Sequence, residues 1–319
     1  MELRQLRYFV RIVDLGSLSK AAADLYVAQP ALSKQVAALE AEFKAALLVR
    51  SPRGVVPTDA GIAFYRQAQA ILRQVGRVAD EVRAVEASPT GVIAVGMPFS
   101  ASNILAPALV AAVRERLPGI RLAITEEGSG QLEGLLAGGR LDLSLLYERN
   151  RPSAQIDEQP LLVEELYLVT QAPGGRGEVT LADAARHRYI LPGAQNSTRQ
   201  VVEKAFAKAG LELLLAAEVD VPWTTKAMVA AGLGATILSR SALYPEQAGS
   251  GLAIRRIVRP AVTRGLNLCS GRGETPARAA AMVRDILEDV VHRLIDSGAW
   301  RGAVLARRRT APAASTRPG

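Results

Sequence analysis

Residues 16–35 read GSLSKAAADLYVAQPALSKQ, and this stretch decides the fold of the first part of the chain. Ser19 is placed to cap a short helix over residues 20–25, whose three consecutive alanines let another helix pack closely against it. Residues 26–28 are too few for anything but a tight turn. Gln29 and Pro30 then open a longer helix that is expected to end at Phe43. The order of short helix, tight turn and longer helix predicts a helix-turn-helix.

The longer helix is expected to have one apolar face and one polar face. Its apolar positions recur at helical spacing, and they are Leu32, Val36, Leu39 and Phe43. Gln29 and Ser33 lie four residues apart on another face, with Lys34 beside them. In a DNA major groove, Gln suits an adenine edge, while Ser suits a base edge or a phosphate. The alternative is an ordinary helical hairpin whose polar face is only solvated.

Residues 47–57, LLVRSPRGVVP, follow that helix and predict two short strands around a turn. A hairpin in this position beside a helix-turn-helix is a wing. Arg50 and Arg53 are placed where a wing meets phosphates, a contact that adds salt-dependent affinity without reading sequence. The alternative is two exposed arginines in a loop.

A further helix is expected from Thr58, which is suited to cap it, to about residue 87. Apolar side chains repeat along it in the a/d pattern of a coiled coil, over roughly 40 Å. The residues predicted to contact a partner helix are Phe64, Ile71, Val75, Val78, Val82 and Val85. So narrow an apolar seam predicts pairing with the same helix of a second copy. The alternative is packing against the chain's own large domain.

From residue 91 onward, short β-branched or leucine-rich segments alternate with helical segments. The segments expected as strands are residues 92–95, 120–125, 141–147, 166–170, 189–191, 218–221, 235–239 and 266–270. The segments expected as helices are residues 103–116, 132–137, 181–185, 198–208, 224–230 and 276–297. This alternation predicts an α/β domain with mainly parallel sheets and helices on both faces.

Loops that lead from strands into helices are where such domains bind ligands. Here those loops are rich in hydroxyl groups and glycine, which suits a small molecule, an anionic one included. The residues predicted to line an effector-binding cleft are Ser100, Ser102, Ser129 and Thr198. The alternative is that these residue types occupy the loops only because they form turns and cap helices.

The composition excludes several classes of protein. A length of 319 residues predicts two or three domains. The single cysteine, Cys269, excludes an internal disulfide framework, and with only two histidines it leaves little basis for a zinc site or a Cys–His catalytic pair. The motifs GxSxG, HExxH, GxGxxG and GxxxxGK[ST] are absent from the sequence. We therefore assign no catalytic residue, metal or cofactor, and do not expect an enzyme.

The net charge of +8 is concentrated at the two ends of the chain. Residues 1–58 are basic, and residues 301–319 contain five arginines and no acidic residue. Basic ends favour binding to a polyanion such as nucleic acid or a membrane surface. The alternative is that the excess basic residues lie on the surface and are only solvated. Residues 301–319 are expected to be disordered. Because the N-terminus does not resemble a signal peptide and no segment predicts a membrane span, we expect a cytoplasmic protein.

Several motifs in the first 61 residues together resemble the winged helix-turn-helix of LysR-type transcriptional regulators. The matching segments are residues 6–10, LRYFV, residues 16–22, GSLSKAA, residues 28–35, AQPALSKQ, and residues 53–61, RGVVPTDAG. Within that family, residues 12–18, 28–33 and 35–37 are most similar to the nitrogen assimilation control regulators. The chain departs from the family at Ala28, where a serine is usual, because alanine cannot cap the helix that follows.

The resemblance implies a domain order. Residues 1–58 are expected to form the winged helix-turn-helix, and residues 59–89 a linker and dimerisation helix. Two subdomains similar to periplasmic binding proteins follow, with an effector cleft between them. Subdomain I is expected over residues 90–161 and 262–300 and subdomain II over residues 162–261, so that the chain crosses near Leu161 and returns near Val262. Residues 301–319 form a basic tail.

The resemblance also implies a function and partners. It implies a sequence-specific DNA-binding transcriptional regulator, an activator or a repressor, that controls nitrogen or small-metabolite genes. The expected partners are double-stranded DNA at an interrupted palindrome, further copies in a dimer or tetramer, and RNA polymerase. No cofactor is implied beyond an unidentified small-molecule effector, and some nitrogen-control regulators work without one. The DNA-binding residues are expected to be Ser19, Gln29, Pro30, Ser33, Lys34, Arg50 and Arg53. The alternative is a small-molecule-binding protein or enzyme of the binding-protein fold with a helical N-terminal extension.

Overall fold

The computed structural model describes residues 1–51, 54–84, 89–148, 153–173, 177–244, 250–272 and 278–306. The chain divides into two compact units. The first comprises Met1–Gly91 with Ala137–Leu141, and the second comprises Val92–Leu136 with the residues from Asp142 onward. Across these described residues, no helix combines the length and the apolar character needed to span a membrane.

The first unit has the predicted winged helix-turn-helix. Its elements are α1 (Leu3–Leu15), α2 (Leu18–Asp24), α3 (Gln29–Phe43), β1 (Leu48–Ser51), β2 (Gly54–Pro57) and α4 (Asp59–Ala84). The bounds of α3 are those predicted. The cap of α2 is not: the Ser17 hydroxyl, rather than that of Ser19, accepts a hydrogen bond from the backbone N–H of Lys20. Ser19 therefore lies inside α2, where its side chain is exposed.

The three helices share one apolar core, which includes Phe9, Ile12, Leu32, Val36 and Leu39. Backbone hydrogen bonds fix the hairpin to that core. The N–H of Val55 donates to the carbonyl of Gly16 over 2.9 Å. Glu40 Oε1 accepts from the N–H groups of Leu47 and Leu48 over 2.8 and 3.1 Å. The wing is therefore held by both the turn before α2 and the end of α3.

The first turns of α4 belong to this same core. Thr58 Oγ1 accepts a hydrogen bond from the N–H of Gly61 over 3.0 Å, which is the predicted cap. Phe64 packs edge-on against Phe9 and Phe43, with ring centroids 4.8 and 5.2 Å apart. Phe64 therefore packs within its own chain, and its contact with a second copy stays a prediction. An a/d pattern alone does not say which chain provides the neighbouring helices.

Further along α4, the apolar residues become more exposed. Ala68 is buried, Ile71 and Val75 are half-buried, and Val78 is 60% exposed. The side chain of Val82 and the whole of Val85 lie outside the described residues. Among the predicted seam residues whose side chains the structure describes, Val78 is thus the most exposed.

The second unit alternates strands and helices. Its first elements are β3 (Gly91–Met97), α5 (Phe99–Arg116), β4 (Ile120–Glu126), α6 (Ser129–Ala137), β5 (Leu143–Tyr147), β6 (Ile156–Gln171), β7 (Glu178–Thr180), α7 (Leu181–Ala184) and β8 (Tyr189–Leu191). These are followed by α8 (Ser197–Lys208), β9 (Leu215–Glu218), α9 (Pro222–Ala230), β10 (Thr236–Ser239), a 3₁₀ turn (Ser241–Leu243), β11 (Leu252–Val258), β12 (Thr263–Gly271), α10 (Arg278–Asp296) and β13 (Ala303–Leu305).

Two long strands, β6 and β12, connect two subdomains. Up to Glu165, β6 pairs with β12 and β13, and from Leu166 onward it pairs with β10 and β11. The chain thus enters subdomain II between Glu165 and Leu166, a few residues after the predicted Leu161. Val262 belongs to the core of subdomain II, and Thr263 already pairs with Glu165, so the return lies close to the predicted position.

The prediction of mainly parallel sheets is wrong, because the sheets are mixed. β3 and β5, β8 and β9, and β7 and β11 form parallel pairs. However, β12 is antiparallel to both β5 and β6, and β6 is antiparallel to β10, β11 and β13. The two connecting strands run in opposite directions, which places antiparallel pairs at the centre of the fold.

Some elements of the second unit also differ from the sequence-based expectation. The strand predicted at residues 218–221 lies at Leu215–Glu218, because Pro222 begins α9 soon afterwards. No sequence pattern indicated β7, which has three residues, or β11, whose adjacent Arg255 and Arg256 interrupt its apolar run. The expectation of disorder over residues 301–319 is wrong for β13 (Ala303–Leu305), which pairs with β6, and residues 307–319 lie outside the described residues. Each subdomain nevertheless has its own apolar core.

Candidate nucleic-acid interface and regulatory cleft

α3 presents its predicted polar side chains at the surface of the first unit. Gln29, Pro30 and Lys34 are exposed, and Ser33 is half-buried. Pro30 lies in the first turn, where its missing N–H leaves no helical hydrogen bond unmade. Ala28 is the N-cap and makes no side-chain hydrogen bond, as expected for alanine. The start of α3 is therefore held by its packing and its neighbours rather than by a cap.

Two hydrogen bonds connect this polar face to α2 and to the wing. Ser19 Oγ donates to Gln29 Oε1 over 3.2 Å, and Arg50 Nη1 donates to Ser33 Oγ over 2.9 Å. The first bond uses a lone pair of the Gln29 oxygen and leaves the amide N–H groups as donors for an adenine edge. The second bond brings the wing onto α3. Arg53, predicted to bind phosphate, lies outside the described residues.

Three features of this face did not follow from the sequence patterns. Gln5, which is almost fully buried, donates from Nε2 to Gln35 Oε1 over 3.0 Å and so ties α1 to α3. Glu40, the first acidic residue of α3, binds the backbone before the wing, so its charge does not oppose the polar face. Tyr26, in the turn before α3, is 96% exposed and adopts a positive φ of 55°.

In the second unit, the four hydroxyl residues predicted for a cleft are all buried. The structure brings two of them to a common partner. Ser100, in the first turn of α5, and Thr198, in the first turn of α8, both accept hydrogen bonds from the guanidinium of Arg264. Ser100 belongs to subdomain I and Thr198 to subdomain II, so Arg264 lies between the two subdomains.

The other two predicted cleft residues make separate contacts. Ser102 Oγ donates to Glu126 Oε1 over 2.7 Å. Ser129 Oγ accepts from the backbone N–H of Tyr147 over 3.2 Å. Both hydroxyls therefore support the walls of the cleft within subdomain I, and neither reaches Arg264.

A buried ion pair, absent from the sequence-based expectation, forms the floor of the cleft. Arg264 Nη2 lies 2.6 Å from Glu164 Oε1, and the two side chains are 4% and 1% exposed. Tyr147 also donates to Glu164 Oε1, over 2.9 Å. Burial raises the pKa of the Tyr147 phenol, so the phenol keeps its proton and remains a donor. The usable signal was Arg264, the single charged residue of β12, since a buried charge needs a partner.

A cavity of about 970 Å³ lies outside this floor, at the N-terminal ends of α6 and α8. The acidic and amide side chains in its lining are Glu127, Glu133, Asp220, Gln131, Gln195, Asn196 and Gln200. No lysine or arginine lines the cavity within the described part of the chain, so its charge does not favour the anionic ligand that the loop composition suggested. Nor do three or more His, Cys, Asp or Glu side chains cluster there, or elsewhere among the described residues, so as to hold a metal ion.

Both units match models of known families. Residues 3–62 match the bacterial regulatory helix-turn-helix protein, lysR family, and residues 86–291 match the LysR substrate binding domain. The chain belongs to the LysR family. This membership confirms the resemblance inferred from the motifs of the first 61 residues. The LysR-family chain is a DNA-binding transcriptional regulator.

Relatives of this LysR-family regulator agree with the subgroup inferred from sequence. It is 38% identical over 295 residues to the nitrogen assimilation regulatory protein nac of Klebsiella aerogenes, covering 92% of this chain and 96% of the relative. It is 36% identical to the protein of the same name from Escherichia coli (strain K12), covering 91% and 95%. These relatives are regulators rather than enzymes.

Solved structures of LysR-family regulators share its fold. Full-length CbnR in complex with its target DNA is 25% identical with a TM-score of 0.69, over 92% of this chain and 99% of that one. A full-length OxyR variant from Pseudomonas aeruginosa is 24% identical with a TM-score of 0.69, over 91% and 97%. The second likeness concerns the fold alone.

Proposed function

We propose that this LysR-family regulator reads an interrupted palindrome with the polar face of α3. Gln29, Ser33 and Lys34 meet the bases and phosphates of the major groove, and Arg50 and Arg53 of the wing bind phosphates. The observation that carries this proposal is the hydrogen bond from Arg50 to Ser33. It joins a phosphate-binding side chain and a base-reading side chain in one surface, so that wing and helix are positioned together.

Two copies are needed to read a palindrome, and we assign their pairing to α4 in a dimer or a tetramer. Support comes from the continued apolar repeat beyond Ile71 and from the exposure of Val78. A two-fold pair of α3 helices places the half-sites about one helical turn apart, or a multiple of it. In this arrangement, residues 1–58 read DNA, residues 59–89 pair the copies and the subdomains from residue 90 onward regulate them.

The proposed targets are nitrogen or small-metabolite genes, which the regulator activates or represses in the cytoplasm, where RNA polymerase is a further partner. The names of the Klebsiella and Escherichia relatives support nitrogen control. We place regulation in the cleft between the subdomains, because buried polar groups from both meet there. Regulation through this cleft would require a ligand that binds two conformations of the domain with different affinity.

Binding to the DNA upstream of its own gene tests this function. We would measure the affinity of the wild type and of the double variant Gln29→Ala/Ser33→Ala for that duplex and for a scrambled duplex, across a salt series. A matched control, Ser153→Ala/Gln155→Ala, removes the same residue types from the second unit. We expect the preference for the upstream duplex to disappear in the first variant and to persist in the control. Equal binding of the wild type to both duplexes, with a steep salt dependence, contradicts specific reading of that site.

A further inference from the structure

Arg264 reaches both subdomains from the strand that returns between them. It lies on β12, directly opposite Glu164 on β6. Its hydroxyl acceptors in subdomain I are Ser100 and Tyr147, and those in subdomain II are Thr198 and Ser239. One guanidinium therefore binds the helix N-termini and strand ends of two subdomains at once.

The surroundings of this guanidinium are those that a protein offers to a bound cation. Its charge meets the carboxylate of Glu164, and its carbon lies 3.6 Å from the centroid of the Tyr147 ring. Ser100 and Thr198, which the sequence predicts as ligand-binding hydroxyls, bind Arg264 instead. The side chain thus contacts both subdomains at the floor of the cleft, as a ligand bound there would.

The anionic half of the pair is equally well bound. Glu164 Oε2 accepts from Ser241 Oγ over 2.9 Å and from Trp300 Nε1 over 3.2 Å, while Oε1 accepts from Arg264 and Tyr147. Ser241 belongs to subdomain II and Trp300 follows α10. A buried carboxylate with this many donors is stable only while the cation is present, since removal of one charge leaves the other uncompensated.

We propose that Arg264 is an internal ligand: its guanidinium holds the two subdomains together in place of a small-molecule effector, so that the regulator keeps its DNA-binding form without one. This inference rests on the proposed function, in which the cleft controls DNA binding. It deepens that function by naming the chemical group that occupies the cleft, a guanidinium cation supplied by the chain itself.

A variant that lacks the Arg264 side chain allows an added small cation to take the place of the guanidinium. Arg264→Ala removes the atoms beyond Cβ and leaves Glu164, Ser100, Tyr147 and Thr198 around a space that N-ethylguanidinium matches atom for atom. Ethylammonium is the matched control cation, because it has the same charge without the planar fork of donors. Arg256→Ala is the matched control variant, since Arg256 also pairs with a β6 glutamate, Glu165, but at an exposed position.

Trp300 provides a readout that does not involve DNA. The chain has two tryptophans, and the other, Trp223, is 75% exposed. In a Trp223→Phe background, the emission of Trp300 reports on its hydrogen bond to Glu164. Emission, thermal melting and affinity for the upstream duplex would be measured in the full chain, with and without N-ethylguanidinium.

We expect Arg264→Ala to bind the duplex about tenfold more weakly or worse, a change in the usual range for coupling between sites. N-ethylguanidinium should restore that affinity, raise the melting temperature and shift Trp300 emission towards the wild-type value, whereas ethylammonium should not. The wild type and Arg256→Ala should respond to neither cation.

Two results would overturn the proposal. One is wild-type affinity of Arg264→Ala for the duplex without any added cation, and the other is a folded Arg264→Ala that does not respond to N-ethylguanidinium. If Arg264→Ala does not fold, Glu164→Gln/Arg264→Gln removes both charges together, and wild-type affinity of that folded variant contradicts the internal ligand. Failure of the proposed function looks different, because the wild type would then show no preference for the upstream duplex, while Trp300 emission of Arg264→Ala would still respond to N-ethylguanidinium.

Discussion

The polar face of α3 and the floor of the cleft are both assemblies of hydrogen-bonded polar side chains, but their partners lie at very different separations along the chain. On α3, Ser19 binds Gln29 ten residues away, and Arg50 binds Ser33 at a separation of 17. In the cleft, Arg264 binds Glu164 at a separation of 100 residues. A short-range assembly leaves a motif in the sequence, whereas a long-range one exists only once the strands have paired.

The two assemblies also differ in exposure, and so in what they contribute to stability. The residues of the α3 face are largely exposed, while Arg264 and Glu164 are buried. An exposed hydrogen bond exchanges with water and adds little to the free energy of unfolding. A buried ion pair adds little as an intact unit, but the loss of one partner is strongly destabilising.

Removal of Glu164 should therefore give the largest effect of any single change considered for either assembly. Glu164→Ala leaves the Arg264 guanidinium buried without a counter-charge and removes the acceptor of Tyr147, Ser241 and Trp300. We expect the free energy of unfolding to fall by about 3–5 kcal/mol. Urea unfolding followed by circular dichroism would measure this loss.

Glu165→Ala, one position along β6, is the control for this change. Glu165 pairs with Arg256, and the two side chains are 25% and 47% exposed, so its removal should cost less than about 1 kcal/mol. The Arg256 guanidinium lowers the pKa of the Glu165 carboxyl, so this small contribution is present at neutral pH and is lost as the pH falls through the lowered value. Equal losses in the two variants would contradict the contrast between a buried and an exposed pair.

The same contrast explains what could be predicted from the sequence. The bounds of α3, the cap at Thr58 and the wing follow from residues within a few turns of one another, and the structure has all three. The cap of α2 was misplaced by two residues because Ser17 and Ser19 are both chemically suitable, and only the backbone of Ser17 is extended. Local chemistry thus predicts the type of an element more reliably than it predicts the residue at which the element begins.

The cleft could be predicted only in part. Ser100 and Thr198 were identifiable because hydroxyls at helix N-termini after strands have a local signature. Arg264 and Glu164 were not, because their pairing depends on the antiparallel register of β12 and β6. The same register makes the sheets mixed, which alternation of strands and helices does not reveal. A lone charged residue inside an otherwise uncharged strand, such as Arg264 in β12, remains the best sequence signal for such a pair.

The junction between the wing and α4 provides the next largest expected effect. A Cβ on Gly61 would lie 1.9 Å from the carbonyl oxygen of Leu47, so Gly61→Ala must displace backbone. We expect a loss of about 1–3 kcal/mol in the stability of the first unit, as for overpacked cores, together with weaker DNA binding. Thermal melting and duplex affinity would measure both.

Gly76→Ala, on the same helix, is the matched control. A Cβ there would meet nothing within 4 Å among the described residues, and alanine favours helix over glycine by about 0.5–1 kcal/mol. We therefore expect a neutral or slightly stabilising effect. If Gly76→Ala destabilised the protein as much as Gly61→Ala, the close approach to Leu47 would not be the cause.

Arg50→Ala should have a smaller effect, and it tests the coupling between wing and α3. Loss of one phosphate contact per copy should lower the slope of log affinity against log salt by about 0.9 for each contact removed. Because Arg50 also binds Ser33, discrimination between the upstream and the scrambled duplex should weaken as well. An unchanged salt slope would show that Arg50 does not meet phosphate.

Ser19→Ala should have the smallest effect and a different signature. Ser19 carries no charge, and its bond to Gln29 is exposed, so its removal should reduce discrimination by about 0.5–1 kcal/mol. The salt slope should stay at the wild-type value, because no phosphate contact is lost. A change in the salt slope without a change in discrimination between the two duplexes would show that Ser19 contacts a phosphate rather than positioning Gln29. Arg50→Ala and Ser19→Ala thus distinguish a side chain that binds phosphate from one that positions a base-contacting residue.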